Sequence, residues 1–355
     1  YNFEDRKLVE IVKATYFNPK IVVIDETTTA LSQEGREELY KHMERIRKSG
    51  NTVIFISHDL PEIIEKSDTI TILRDGVYID TVKSKDVNEN DLKKLMVGRE
   101  VTGDYYRSDY GEKVSDEVVL SVKNVTVPGL IENVSFDLHK GEILGFGGLS
   151  ESGMHEIGKA IFGASYDREG IVELADGTQI NDIPTAIKHS IAYTSKDRDN
   201  ESVVLNQSIG DNICLPSLDE LSGPAHLISD KKKKDFANKF AKQMSVKMVD
   251  VNQFVSNLSG GNKQKVVLAR WIGKDSDIVV LDSPTRGIDI KVKQDIYQLM
   301  NQMRKNGKSI IMISEELMEL IGMCDRIMIM KDGKISGELE RDQNLDENGL
   351  ITMMV

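Results

Sequence analysis

The sequence predicts an α/β fold built on a parallel sheet and duplicated in tandem. Three observations carry this. Short β-branched runs of buried-strand length alternate with charged segments that carry one apolar face, the pattern of βαβ units. Two long stretches of the chain match each other without a gap. Ahead of the second stretch, an apolar run leads into a glycine-rich turn.

In chain order, Ile21–Ile24 and Val53–Ile56 read as buried parallel strands. Between them Gln33–Lys48 is charged, with Leu39, Met43 and Ile46 along one helical face. The series returns as Ile278–Leu281, Lys291–Lys305 and Ser309–Ile313. At one constant offset Asp25-Glu26 falls on Asp282-Ser283, His58 on Glu315, Leu60 on Leu317 and Asp68 on Asp325. About 20 positions agree between 21–76 and 278–333, a period too long for a solenoid and fitting for a domain duplication. Ahead of the second copy, Glu142–Phe146 reads as a strand running into a glycine-rich turn, and Met154–Phe162 as a helix. Asp75-Gly76 and Asp332-Gly333 read as hairpin turns.

Carried backwards, the same offset sets Tyr1–Asp5 on Leu258–Asn262. The chain is therefore expected to begin inside a domain. Residues 1–98 read as the C-terminal part of a first domain, 99–116 as a linker, 117–340 as a nearly whole second domain and 341–355 as a C-terminal tail. The connector Thr102–Gly111 lacks apolar periodicity and is turn-rich.

The 355-residue length suits about two domains. A net charge of −12 argues against a nucleic-acid partner, which needs a basic face. Cys214 and Cys324 are too few for a disulfide framework, so no disulfide is expected, and no spacing suggests zinc. That fits a reducing compartment. The apolar runs are strand-sized, well short of the roughly 18 residues of a spanning helix. No signal peptide is visible. Lys231–Lys234 read as a solvated helix face, and the methionines from Met312 to Met330 as packing.

Asp25 and Glu26 end an apolar strand, where ligands bind in open α/β sheets. In a nucleotide hydrolase such an Asp holds the Mg²⁺ shell and the adjacent Glu orients or deprotonates the attacking water. His58 ends the next strand, within reach of a γ-phosphate. The plainer alternative is a surface acidic pair and a solvated histidine. Asn257–Gln264 is the most specific signal. Gly260 and Gly261 expose N–H groups at a helix start, an anion site, and Ser259 adds a hydroxyl. Its plainer alternative is a glycine turn with an N-cap.

Leu258-Ser259-Gly260-Gly261-Asn262, then a helix, a strand ending in Asp282 and the loop Pro284–Asp289 resemble the nucleotide-binding domain of an ABC transporter. The resemblance implies a P-loop NTPase-type (RecA-like) sheet with a helical subdomain. Leu95–Arg99 before the connector, and Lys140–Gly145 after it, resemble the tandem ATPase subunit of ribose/galactose/xylose-type sugar importers. The resemblance covers nearly the whole chain. It implies ATP and Mg²⁺ as cofactors and a peripheral place on the cytoplasmic face of the membrane. The implied partners are transmembrane permease subunits and, through them, an extracytoplasmic sugar-binding protein. In that family two fused ATPase domains pair head to tail, each ATP lying between the phosphate loop of one and the signature of the other. Carried onto this chain, Glu26 and His58 are catalytic and Asp25 holds Mg²⁺ through water. Ser259, Gly260, Gly261 and Asn262 bind the nucleotide from the other copy.

The second copy departs from the family pattern. Its phosphate loop, Gly148-Leu149-Ser150-Glu151-Ser152-Gly153-Met154-His155, keeps the glycine spacing but has lost the cation and the metal-ligating hydroxyl. Asp282 stays at the metal position, while Ser283 replaces the catalytic glutamate and Glu315 the histidine. Lys196 stands where a polar or acidic residue is usual. In the first copy Asn2-Phe3-Glu4 stand where Ser-Gly-Gly should be. One composite site therefore reads as degenerate and the other as competent, the latter's phosphate loop lying upstream of Tyr1. The chain as given is expected to lack ATPase activity. Rival classes are a twin-cassette translation-factor ATPase, an idle nucleotide-binding module and a DNA-repair or chromosome ATPase. The first needs a basic helical connector and the last long heptad segments, neither of which the sequence has. Asp25, Glu26 and His58 oppose the idle module.

Overall fold

The computed structural model describes all residues except 1–2, 18, 26, 32, 58, 75–76, 98–104, 110–113, 224–226, 289, 343–344 and 355. For 3–8, 29–30, 33–34, 74, 90, 93–94 and 97 it describes the backbone only. The chain divides into two compact units, Tyr1–Gly103 with Asp289–Lys291, and Asp104–Ile288 with Val292–Val355.

The first unit runs α1 (Phe3–Thr15), β1 (Ile21–Asp25), α2 (Gln33–Lys48), β2 (Thr52–Ile56), α3 (Leu60–Lys66), β3 (Thr69–Arg74), β4 (Val77–Lys83) and α4 (Glu89–Val97). β1 and β2 pair in parallel, and β3 and β4 form an antiparallel hairpin. Leu39 and Met43 of α2 are buried against Val22 and Ile24 of β1, as the helical spacing requires. Along β1 burial alternates, so Val22 and Ile24 face the core while Ile21 and Val23 are exposed.

The second unit opens with β5 (Val118–Val127), β6 (Ile131–His139), β7 (Ile143–Gly148), α5 (Met154–Ile161), β8 (Glu169–Leu174), α6 (Ile183–Lys188) and β9 (Ile191–Thr194). A helical stretch follows: α7 (Ile209–Cys214), α8 (Leu218–Leu221), α9 (Asp230–Gln243) and α10 (Gly260–Lys274). It closes with β10 (Ile278–Asp282), α11 (Ile290–Lys305), β11 (Ser309–Ile313), α12 (Leu317–Met323), β12 (Arg326–Lys331), β13 (Lys334–Glu340) and α13 (Glu347–Met354). The main sheet has six strands in the order β13-β12-β7-β11-β10-β9, parallel except at β13. β7, β10 and β11 are buried at every position, so their apolar runs do not alternate. A second sheet, β6-β5-β8, is antiparallel. At the β12–β13 turn Asp332 and Gly333 take φ of 48° and 76°, the left-handed pair a tight hairpin needs.

Each unit holds one buried glutamate in the same setting. In the second, Glu319 accepts from Ser314 Oγ at 2.9 Å, from Thr285 Oγ1 at 2.5 Å and from the Tyr297 hydroxyl. In the first, Glu62 accepts from Ser57 Oγ at 2.7 Å, from Thr28 Oγ1 at 3.1 Å and from the Tyr40 hydroxyl. The knot joins a strand end, the loop after the neighbouring strand and two helices. A buried polar group is tolerated only when bonded, and these carboxylates are.

The connector does not hang free where it is described. Tyr105 and Tyr106 stack edge-on or tilted against Tyr297, with ring centroids 5.5 and 5.4 Å away. Arg107, 4% exposed, bonds the Met323 carbonyl at 2.8 Å and Asp325 at 2.6 Å. Residues 347–354 form α13, with Leu350 and Met354 buried against the second unit's core. Of the methionines expected in packing, Met312, Met323, Met328 and Met330 are buried, but Met318 is 49% exposed. It points outward from α12, where the helical turn faces solvent. Both cysteines are buried and free. Burial pushes the Cys214 thiol up to about 11, so neither the charge nor the exposure of a reactive thiol is present there.

Glu319→Ala should destabilise the second unit by roughly 3 kcal/mol or more, because three hydroxyl donors lose their acceptor in a buried place. Glu319→Gln keeps an acceptor and should cost clearly less. Urea unfolding followed by circular dichroism measures both; an alanine variant within about 0.5 kcal/mol of wild type would remove the knot from the account.

Candidate functional site

The carboxyl ends of the parallel strands converge on the loops that carry the chemistry-bearing residues. β7 ends at Gly148, the turn 149–153 follows, and α5 starts at Met154. The two retained glycines are fixed by packing. Gly153 has φ of 89° and a Cβ there would stand 2.5 Å from the Leu130 carbonyl oxygen. A Cβ on Gly148 would stand 2.7 Å from the Met330 carbonyl oxygen. The glycine spacing therefore survives for reasons of space and says nothing by itself about phosphate. The Ser152 N–H is taken by the Leu149 carbonyl at 2.8 Å. Met154 is fully buried in the core, and Glu151 is exposed to solvent.

Around this loop the substituted residues bond one another. His155 Nδ1 lies 2.7 Å from Asp282 Oδ1, and its Nε2 lies 3.0 Å from Lys196 Nζ and 3.4 Å from Glu315 Oε1. Lys196 Nζ donates to Glu315 Oε1 at 2.6 Å, and Ser150 Oγ donates to the same oxygen at 2.7 Å. Ser283 Oγ donates to Asp282 Oδ1 at 3.2 Å. The bond from His155, with Lys196 and Ser150 behind it, holds the Glu315 carboxyl well below the usual carboxylate range against the effect of burial. Burial pushes the His155 imidazole down, yet its bonds to Asp282 and Glu315 outweigh this and leave it above its ordinary value.

The signature loop leads into α10, whose N-cap is Ser259. Ser259 Oγ accepts from the Asn262 side-chain amide at 2.9 Å, and Asn262 Oδ1 accepts from the Lys247 N–H at 2.7 Å. Neither contact uses the first-turn N–H groups, which have no intrahelical acceptor. Ser259 is exposed, and Gly260, Gly261 and Asn262 are half-buried. Sequence reasoning missed how this helix is tied to the segment after β9. Lys263 Nζ meets Asp199 at 2.9 Å, and Arg198 Nη1 reaches Gln264 Oε1 at 3.4 Å. Arg198, Lys196, Gln264, Ser283 and Arg286 line one cleft of about 270 Å³. Arg270 of α10 is buried and bonds the Asn212 and Ser202 carbonyls, which fixes α10 to α7. Burial lowers its guanidinium to about 10.

In the first unit Asp25 ends β1 and is exposed, whereas its counterpart Asp282 is 1% exposed at the end of β10. Glu26 and His58 lie outside the described residues, as does the Asp75-Gly76 turn. Asn2 also lies outside them, and Phe3 and Glu4 belong to the backbone of α1. Among the described residues no group of three or more His, Cys, Asp or Glu is arranged to hold a metal ion. At Asp282 in particular the donors do not fit Mg²⁺, which demands oxygen ligands in octahedral array. There the His155 imidazole and the Ser283 hydroxyl occupy Asp282 Oδ1, while the Lys196 ammonium is held by Glu315.

The ABC transporter family model matches residues 131–286. The ribose import ATP-binding protein RbsA of Clostridium tetani is 38% identical over 347 residues, which are 98% of this chain and 68% of that protein. The xylose import ATP-binding protein XylG of Thermoanaerobacter pseudethanolicus is 43% identical over 350 residues, 95% of this chain and 68% of that protein. A solved dimeric bacterial ABC transporter cassette, MJ0796, shares the fold with a TM-score of 0.56 at 22% identity, covering 63% of this chain and 99% of its own. A RecA-like sheet with a helical subdomain and a signature helix is the ABC ATPase, a class that binds and hydrolyses ATP with Mg²⁺. The chain belongs to the ATP-binding subunits of ABC transporters and is closely related to the RbsA and XylG members.

The pair Lys196–Glu315 should show coupling of about 1 kcal/mol or more in a double-mutant cycle of Lys196→Met with Glu315→Gln, read by urea unfolding. Additive effects would mean the pair is a solvated surface contact. The sign of the pH dependence follows from the depressed Glu315 carboxyl. Its contribution should be full above the unfolded value of about 4.3 and should fade as pH falls below it, so wild type and Glu315→Gln converge in acid.

Proposed function

We propose that the chain is the ATP-hydrolysing subunit that drives import of a monosaccharide, with one competent composite site and one degenerate site. The observation that carries this is an asymmetry. The phosphate-handling positions of the second unit are filled by Met154, His155, Lys196, Ser283 and Glu315, bonded to one another or buried, while its signature at Ser259–Asn262 keeps its N–H groups available. A unit that cannot serve its own site but keeps a signature is suited to serve another's.

In this reading residues 1–98 are the C-terminal part of a first ABC ATPase domain, 99–116 a linker, 117–340 the second domain and 341–355 a tail. The duplication is supported by the shared series strand, helix, strand, helix, hairpin. It is supported further by the glutamate knot, whose Thr28, Tyr40, Ser57 and Glu62 recur at one offset as Thr285, Tyr297, Ser314 and Glu319. Sugar as cargo rests on the relatives, which are ribose and xylose import proteins. Permease subunits and a sugar-binding protein are then the partners, and the cytoplasmic face of the membrane is the place of work. Among the described residues no helix is long and apolar enough to cross a membrane, as a peripheral subunit requires.

At the competent site Asp25 would hold a hydrated metal ion, which would supply charge to neutralise the phosphates. The Glu26 carboxylate takes a proton from water as its oxygen attacks the γ-phosphorus, and ADP leaves. His58 donates to the γ-phosphate oxygens. Ser259 and the N–H groups at Gly260–Asn262 close on that phosphate from the second domain. Residues 1–98 contain no G-x-x-x-x-G-K-[ST] loop, so the 355-residue chain alone should show no Mg-ATP turnover. Turnover by this chain that Glu26→Gln abolishes would contradict the assignment.

In the assembled transporter Glu26→Gln and Gly261→Asp should each lower ATP hydrolysis by about 100-fold or more, although they lie in different domains. Ser283→Ala and Glu4→Gly should leave it within about twofold. Steady-state phosphate release measures all four. Normal hydrolysis by Gly261→Asp would mean that the first domain works without the second domain's signature.

A further inference from the structure

The substitutions at the second unit's phosphate loop are not separate losses. Lys196, His155, Asp282, Glu315 and Ser150 come from four stretches of the chain and meet in one closed set of bonds. Asp282 sits at the end of β10, the position where a strand-end carboxylate meets a metal's hydration shell in this class. It is bonded at 2.7 Å by an imidazole nitrogen, and the other nitrogen of that ring faces the Lys196 ammonium at 3.0 Å. Glu315, in turn, receives Ser150 of the phosphate turn and Lys196 together. Each carboxylate has a cationic or N–H partner, and each donor has an acceptor.

We propose that this site is self-liganded: the Lys196 ammonium stands in the place of a metal ion and the Glu315 carboxylate in the place of a terminal phosphoryl group. A tethered ammonium pairs Glu315 directly and reaches Asp282 through the His155 ring, without the dehydration that Mg²⁺ resists. A divalent ion would have to displace it and break the His155–Asp282 bond. The carboxylate collects the loop hydroxyl and the cation as a phosphate oxygen would. The site is thereby held assembled at all times. The segment that supplies Lys196 continues through Arg198 and Asp199 to Gln264 and Lys263 of α10, so the same network keeps the signature helix in place. This goes beyond the function proposed above and does not depend on it, since it makes no claim on catalysis in the first unit.

The test is Mn²⁺ binding to the 355-residue chain, followed by the loss of the free-ion electron paramagnetic resonance signal. Asp282→Asn serves in each background to isolate this site from weak surface binding. Wild type and Lys196→Arg should bind no Mn²⁺ that depends on Asp282. Lys196→Ala should gain one Asp282-dependent Mn²⁺ per chain, bound about tenfold or more tighter than the weak surface binding of wild type, the scale on which one adjacent like charge shifts an ionic equilibrium. Asp282→Asn in that background should remove it. Lys196→Gln, closer in size, provides a second uncharged variant, and circular dichroism checks that each is folded. Asp282-dependent Mn²⁺ binding by wild type would overturn the proposal, and that measurement needs no variant at position 196. So would folded uncharged variants that bind no more Mn²⁺ than wild type.

Discussion

A carboxylate buried beside the ends of each unit's parallel strands holds the following loops to the sheet. Glu319 gathers Thr285 from the loop after β10, Ser314 from the end of β11 and Tyr297 from α11. Asp282 at the end of β10 and the loops that carry Ser283, Arg286 and Glu315 lie next to these bonds. Tyr297 is covered by Tyr105 and Tyr106, which fasten the connector at the same point. An acidic group in an apolar interior is costly unless its bonds are complete, and completeness makes the arrangement specific. The recurrence around Glu62 shows the same solution in the first unit.

On that scaffold the second unit carries the network proposed above as self-liganding. The second has replaced mobile ligands with side chains: an ammonium, an imidazole and a carboxylate satisfy one another where metal and phosphate are handled in this class. Removing one partner would leave the others charged or polar without compensation, which is far more costly than never having had the network. Such a site persists as a set or not at all. Its retention beside an available signature is what makes a division of labour between two domains the economical account.

Much of this was legible in the sequence. The strand runs, the amphipathic helices, the Asp332-Gly333 turn and the signature helix all follow local rules of period and backbone freedom. The positions lost from the second phosphate loop were legible too, as departures from a motif. Their compensation was not. Lys196 and Glu315 lie 119 residues apart and His155 and Glu315 160, so only the fold reveals that an odd lysine and an odd glutamate are partners. The glutamate knot did leave a trace, because its four residues are identical polar positions at the one constant offset, where most identities are apolar or turn residues. The docking of the connector left no periodic signal, because two adjacent aromatic rings and an arginine are enough to hold a turn-rich segment.

Competence in one composite site and its absence in the other is the central claim, and it is tested most directly by counting trapped nucleotide. The assembled transporter is allowed to turn over ATP with orthovanadate, and the ADP retained after gel filtration is counted per chain and located by photo-cross-linking. One ADP per chain, cross-linked to the signature segment around Ser259 and never to the turn between Gly148 and His155, is the result expected. Two per chain, or label at that turn, would contradict the account.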